Sequence, residues 1–165
     1  MAPFTSGEID LLISCSKEIA EAPAKALKLV DADWRNGAKL RAADVKGVFS
    51  MFMRKNDDFP ENFSVGLSYN AQDGRPEITL LRCNGKHGQF TGLGDAAHPH
   101  WGFHIHTATE EAQNAGFAPE KYASISSDFA SYEEALQYFV KRINLNPQQA
   151  AKYFPNSIQH QLFTK

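Results

Sequence analysis

Residues 63–83 read FSVGLSYNAQDGRPEITLLRC, and this stretch decides the fold class. In residues 63–69, Phe, Val, Leu and Tyr alternate with Ser and Gly, which is the period of a strand with one buried face. Asp73, Gly74 and Pro76 then give a turn signal, and residues 78–83 predict a second strand. Strands that follow each other through a short turn imply an antiparallel meander.

Further strands are predicted on both sides of this pair. Residues 48–55 and residues 101–108 both have strand patterns. Upstream, Asn36-Gly37 predicts a hairpin turn, because this dipeptide tolerates positive φ, and residues 38–45 supply the returning strand. Together these segments predict a curved antiparallel sheet of about five to six strands.

A helix is predicted over residues 8–22, where apolar residues recur at helical spacing. Thr5 and Glu8 stand three positions apart, as in a capping box, and Pro23 ends the segment. The chain therefore begins with one helix before the sheet.

Two closing helices are predicted near the other end of the chain. Ser131 and Glu134 form a second capping signature before an amphipathic stretch that runs to Ile143. Asn146-Pro147 starts a shorter helix, since proline is favoured in a first turn. The predicted fold class is α+β in a single domain over residues 1–165, with an N-terminal helix and one or two C-terminal helices.

Composition indicates a packed soluble protein. Hydrophobic residues make up 42% of the chain, which is enough for a core. No apolar run approaches the roughly 20 residues of a membrane span, and the first residues lack signal-peptide character, so we expect a cytoplasmic protein without membrane contact. The formal net charge is −2, so any nucleic acid has to be bound by a local basic patch.

Several kinds of site are excluded by the sequence. Cys15 and Cys83 are its two cysteines and no CxxC pair occurs, so a thiolate zinc site and a disulfide framework are unsupported, and both thiols are expected to pack as small apolar side chains. Nucleotide-binding glycine motifs, GxSxG and HExxH are also missing.

Histidines are concentrated in one segment. The chain has six, and five of them fall in residues 87–106: His87, His98, His100, His104 and His106. The last two are separated by one residue within a strand pattern, so their imidazoles project from the same face, roughly 6.6 Å apart at their Cβ atoms.

General acid–base chemistry on a phosphodiester is the first interpretation of this cluster. An unperturbed imidazole titrates near 6.5, so two of them can accept and donate protons at neutral pH. Arg82 supplies positive charge for a developing phosphorane. The predicted catalytic residues are His104, His106, His87 and Arg82, and the predicted substrate contacts are Lys86, Asn84, His100 and Trp101.

Metal binding is the second interpretation. His104 and His106 would supply two imidazole nitrogens to Zn²⁺ or a similar divalent ion, with His98 as the preferred third ligand and a position left open for water. His87, His100 and Asp95 are the other candidates for that third place. A third interpretation leaves the histidines as half-buried strand and loop residues.

The order of motifs also resembles a known group of proteins. Residues 80–87, a glycine-rich loop, residues 102–106 and a closing helix resemble TumE-type toxins of bacterial toxin–antitoxin modules and related small uncharacterised bacterial proteins. In that group an Arg-x-Asp/Asn-x-x-His motif precedes a paired-histidine strand, which maps onto Arg82, Asn84, His87, His104 and His106. Cys83 replaces a more usual aromatic residue, and the loop lacks the group's adjacent His-His.

The resemblance implies a toxin-like function, ribonuclease chemistry and a cognate antitoxin protein. The sequence therefore predicts a metal-independent ribonuclease that needs no cofactor and has RNA as its partner. One of His104 and His106 takes the 2′-hydroxyl proton, and the other, or His87, protonates the leaving oxygen. The alternatives are a His-ligated metallohydrolase that uses zinc or another divalent metal, and a non-catalytic binding or inhibitor module from a mobile element or phage.

Overall fold

A computed structural model of the chain describes residues 1–87 and 99–155. The strands are β1 (Glu18–Glu21), β2 (Lys28–Val30), β3 (Asp33–Ala42), β4 (Val45–Asn56), β5 (Phe63–Asn70), β6 (Ile78–Asn84), β7 (His104–Thr107) and β8 (Ala123–Ile125). The helices are α1 (Ser6–Ser14), α2 (Glu110–Asn114), α3 (Tyr132–Arg142) and α4 (Pro147–Tyr153), with a 3-10 turn at Pro99–Trp101.

These strands form one antiparallel sheet. Its order is β1-β3-β4-β5-β6-β7-β8, and β2 pairs with β3 beside β1. The α+β class and the antiparallel meander are confirmed, but the described residues form eight strands instead of five to six. The additional strands include β1 and β8, which have four and three residues and so are too short to show a clear alternation.

The predicted hairpin turn at Asn36-Gly37 is wrong. Both residues lie inside β3, where they pair with Met53 and Phe52 of β4. The side chain of Asn36 is fixed to the preceding segment, because its Oδ1 accepts from the Ala24 N–H and its Nδ2 donates to the Ala24 carbonyl. The hairpin instead closes between β3 and β4, where Ala42 pairs with Val45.

Helix α1 has the predicted cap, but it begins at Ser6, two residues before the predicted start, and it ends early. The capping box of Thr5 and Glu8 is present, but the helix stops at Ser14, so the predicted extension to residue 22 is wrong. Lys17 explains the stop, because its side chain is fully buried and its Nζ donates to main-chain carbonyls instead of pointing to solvent. The chain then continues into β1, which pairs with β3.

The closing helices follow their predicted caps. Ser131 caps α3 by accepting the Glu134 N–H, and Asn146 caps α4 by accepting the N–H groups of Gln148 and Gln149. Among the helices of the described residues, none combines the length and apolar character needed to cross a membrane.

One face of the sheet carries the hydrophobic core. Helix α3 packs against β5 and β6, and α1 packs against β6. The core-facing sheet positions are Phe49, Met51, Met53, Phe63, Val65, Leu67, Leu81 and Cys83, all buried. Cys83 therefore packs as predicted, whereas Cys15 is only partly buried.

The other face of the sheet is polar. Strand register aligns two rows of residues across it, Arg54–Ser64–Asn84–His104 and Phe52–Gly66–Arg82–His106. Gly66 is required in the second row, because a Cβ there would lie 2.0 Å from the Phe52 ring. Both rows pass through the histidines of β7.

Candidate metal centre

Strand β7 presents His104 and His106 on the polar face, as the alternation of a strand requires. Their ring centroids are 5.1 Å apart. The two residues are 0% and 3% exposed, whereas Phe103 stacks on Phe63 on the core side. Two imidazoles are thus held side by side in a buried position.

The main chain fixes the tautomer of both rings. Nδ1 of His104 lies 2.8 Å from the Gly102 carbonyl oxygen, and Nδ1 of His106 lies 2.8 Å from the Glu120 carbonyl oxygen. A carbonyl only accepts, so each Nδ1 carries the proton. In the neutral ring Nε2 then offers a lone pair, and this is how metal-binding histidines are usually oriented.

His87 and His100 complete the cluster from both sides of residues 88–98. The His87 N–H donates to the His100 carbonyl at 2.8 Å, which ties the two segments together. Their ring centroids are 4.5 Å apart and lie 4.9 and 4.8 Å from that of His104.

Nitrogen positions in this cluster match a metal site. Nε2 of His87 lies 3.1 Å from Nε2 of His104. Two nitrogens bound to tetrahedral zinc at about 2.0–2.1 Å would be about 3.3–3.4 Å apart. One ligand atom each from His87, His100 and His104 lie within 4.8 Å of one another, which is wider than the spacing on one bound ion, so the three rings would have to move closer together to share one. Without an ion, an N–H···N bond from His87 to His104 accounts for the same distance.

Arg82 lies beside the cluster on β6, directly opposite His106 in the strand register. Its Nε is buried and has no hydrogen-bond partner among residues 1–87 and 99–155, and the same holds for Nε2 of His106. The guanidinium also has no ion pair in that part of the chain. A donor and an acceptor are therefore left unsatisfied next to each other.

Burial keeps three of the rings neutral. It is the largest cause that lowers the pKa of His87, His104 and His106 from 6.5 to about 4, and the positive charge of Arg82 adds to this effect. At neutral pH each of these rings is therefore uncharged, which is the protonation state that a metal ligand needs. None of the three is the charged imidazolium that a proton donor would need.

Two predicted substrate contacts have partners of their own. Asn84 is buried opposite His104, and its Oδ1 accepts the Ser64 hydroxyl at 2.7 Å. Nζ of Lys86 lies 3.5 Å from the Glu61 carboxylate. Asn84 therefore lies beside the histidine cluster, whereas Lys86 is directed to an acidic side chain.

Other predicted residues occupy different positions. Trp101 is half-buried in the 3-10 turn instead of in the predicted strand, because β7 begins only at His104. His98, the preferred third metal ligand, and Asp95 lie outside the described residues. His100, predicted to contact substrate, is instead one of the three histidines whose ligand atoms lie close together, whereas His106, one of the two main predicted ligands, is not in that group.

Sequence reasoning missed Arg54. It lies on β4 in the row that contains His104. Burial is the main cause that lowers the pKa of His87 and of Arg82, and the charge of Arg54 adds to it. Its guanidinium bonds to Asp33 and Asn62. Only the register of β4 on β5 and β6 reveals this second positive charge, although the alternation of β4 placed it on the polar face.

Comparisons with known protein families, with curated proteins and with solved structures give no match to this chain. The resemblance to TumE-type toxins stays a prediction, and functional inference rests on the geometry of the site.

Proposed function

We propose that this chain is a metal-dependent hydrolase whose centre holds Zn²⁺ or a similar divalent ion on His87, His100 and His104. The observation that carries the proposal is the approach of Nε2 of His87 to Nε2 of His104, at 3.1 Å, while Nδ1 of His104 is anchored to a carbonyl. Three imidazole ligands leave a fourth position open, which is typical of catalytic zinc sites.

The chemistry follows from the groups around that open position. A divalent ion held by His87, His100 and His104 would supply Lewis-acid polarisation of water and of a substrate oxygen. Nε2 of His106 is an unpaired acceptor on the same face, so it takes the proton of the attacking water and can return it to the leaving group. The Arg82 guanidinium offsets negative charge that develops on the substrate.

Metal binding is tested on protein without an affinity tag, by elemental analysis and zinc titration. We expect one zinc per chain, and we expect His87→Ala and His104→Ala to weaken zinc binding by more than about 100-fold, since even outer partners of ligands contribute 10–100-fold. His106→Gln is the matched control, because its ring is not among the three ligands, and it should retain zinc. A wild-type protein that binds no zinc, with its fold checked by circular dichroism, contradicts the proposal.

Hydrolysis is tested with bis(p-nitrophenyl) phosphate and short RNA. Turnover should require zinc, stop on addition of EDTA, and fall by about 10²–10⁴-fold in His106→Gln, because the proton acceptor is lost while the metal stays. Activity that persists in EDTA would exclude the metal-dependent mechanism.

A metal-independent ribonuclease is the second candidate, favoured by the pairing of Arg82 with His106 in the register of β6 and β7. It predicts RNA cleavage in EDTA, none of DNA, and loss of activity in His106→Ala. This second candidate also implies a toxin-like role, a cytoplasmic location and a cognate antitoxin. Growth arrest on expression of wild type, but not of a His104→Ala/His106→Ala double variant, would support a toxin. A binding or inhibitor module would give neither turnover nor growth arrest.

A further inference from the structure

We infer that Arg82 and His106 form, together with the metal, a pocket for a phosphoryl oxyanion. This inference names the substrate class of the proposed centre and so rests on the proposed function. It begins from the charge of Arg82, which the described part of the chain leaves without a counterion.

Arg82 differs from the other arginines of the described residues. Four of them have a carboxylate within ion-pair distance, namely Arg35, Arg41, Arg54 and Arg75, and Arg142 is exposed to solvent. Arg82 is half-buried with no such partner, and Glu120 acts on it only at longer range. A partly desolvated cation without a counterion is unfavourable, and a bound anion removes that cost.

The unpartnered atoms of Arg82 and His106 distinguish phosphate from carboxylate. Arg82 offers N–H donors, whereas Nε2 of His106 offers a lone pair and therefore needs a donor. Hydrogen phosphate supplies both, because its charged oxygens accept from the guanidinium and its P–OH donates to the imidazole. A carboxylate supplies only acceptors, so it leaves the imidazole unsatisfied.

Charge around the pocket favours a multiply charged ligand. Arg54 lies in the adjacent row, but its ion pair with Asp33 offsets its charge, so the excess positive charge would come from Arg82 and from the two charges of the metal. Planar guanidinium groups bind phosphate oxygens in a bidentate manner, which gives orientation as well as affinity.

The test is calorimetric titration of zinc-loaded protein with inorganic phosphate, dimethyl phosphate and acetate. Arg82→Gln should weaken phosphate binding about 10–100-fold, the range of a lost charge-assisted hydrogen bond, without changing the zinc content. Arg41→Gln is the matched control, since the Arg41 side chain is 70% exposed and pairs with Glu18, and this variant should bind phosphate as wild type does. Arg82→Lys keeps the charge and serves if Arg82→Gln does not fold.

The outcomes separate this inference from the proposed function. Phosphate binding that survives in Arg82→Gln, or acetate binding as tight as that of phosphate, overturns the inference and leaves the metal centre standing. Tight binding of inorganic phosphate but not of dimethyl phosphate, which has no P–OH, supports the inference and points to a monoester substrate. Equally tight binding of both overturns the assignment of His106 Nε2 as the acceptor of a P–OH. If wild type binds no zinc, the proposed function fails. Phosphate is then titrated into the zinc-free protein to test the anion pocket by itself. Phosphate binding that depends on Arg82 supports the pocket, and absence of phosphate binding overturns it.

Discussion

At the residue scale, Lys17 shows how a charge is accommodated in the interior. Its side chain is 0% exposed, and Nζ donates to the carbonyls of Ile13 and Cys15 at 2.8 Å and of Ile143 at 2.9 Å. These carbonyls belong to the ends of α1 and α3, where helix dipoles concentrate negative charge. Burial lowers the pKa of Lys17, but its three acceptors satisfy all the donors of the ammonium group.

Replacement of Lys17 by Met should lower the free energy of unfolding by about 2–5 kcal/mol, because buried carbonyls at two helix ends lose their donor. Urea unfolding followed by circular dichroism measures the change. Lys28→Met removes the same charge from an exposed strand position and should stay within about 0.5 kcal/mol of wild type. A Lys17→Met variant as stable as Lys28→Met would contradict this account.

Some positions in the site follow from the sequence and others do not. Alternation in a strand puts His104 and His106 on one face whatever surrounds them. The place of His100 depends on a 3-10 turn and on the main-chain bond from His87, which no local pattern encodes. The burial of Lys17 likewise depends on a carbonyl 126 residues away, so a lysine that follows a helix gives no local sign of it.

At the element scale, α3 holds the core face of β5 and β6, and its N-cap is a sensitive point. Ser131→Ala removes the hydroxyl that accepts the Glu134 N–H and should lower the free energy of unfolding by about 1 kcal/mol. Thermal or urea unfolding measures this loss. Ser127→Ala, at an exposed loop position, is the control and should be nearly neutral; equal losses in the two variants would show that the cap contributes nothing.

Elements with long, regular patterns or strong caps were predictable, and those decided by tertiary pairing were not. Residues 63–70 and 78–84 alternate clearly enough to be assigned as strands. Asn36-Gly37 has turn chemistry, but the pairing of β3 along β4 overrides it. The segment after Ser14 has helical spacing, and β1 forms there because its residues complete the sheet beside β3.

At the scale of the whole molecule, the zinc-free protein should lose stability as the pH falls from about 6.5 toward about 4. Burial holds the pKa of His87, His104 and His106 at about 4 in the folded chain, below the ordinary value of 6.5. Between these values the unfolded chain binds more protons, so the free energy of unfolding rises with pH. Urea unfolding at pH values of about 5 and 7 measures the difference while most carboxylates stay ionised.

The control for this pH effect is a His87→Gln/His104→Gln/His106→Gln variant, whose stability should depend less on pH over the same interval. Wild-type protein that is equally stable at both pH values would show that the three imidazoles are not shielded from protonation.

The two faces of the sheet have separate roles, one in the hydrophobic core and the other in the candidate site. Strands β5, β6 and β7 send alternate side chains to opposite sides of the sheet. The apolar side chains that pack against α1 and α3 therefore share a backbone with the histidines and Arg82, but the two groups have few side-chain neighbours in common. Substitutions on the polar face can therefore change the activity of the site while the hydrophobic core stays unchanged. Such a fold tolerates changes in the residues of its site, and a protein engineer could introduce new metal ligands there without redesigning the core.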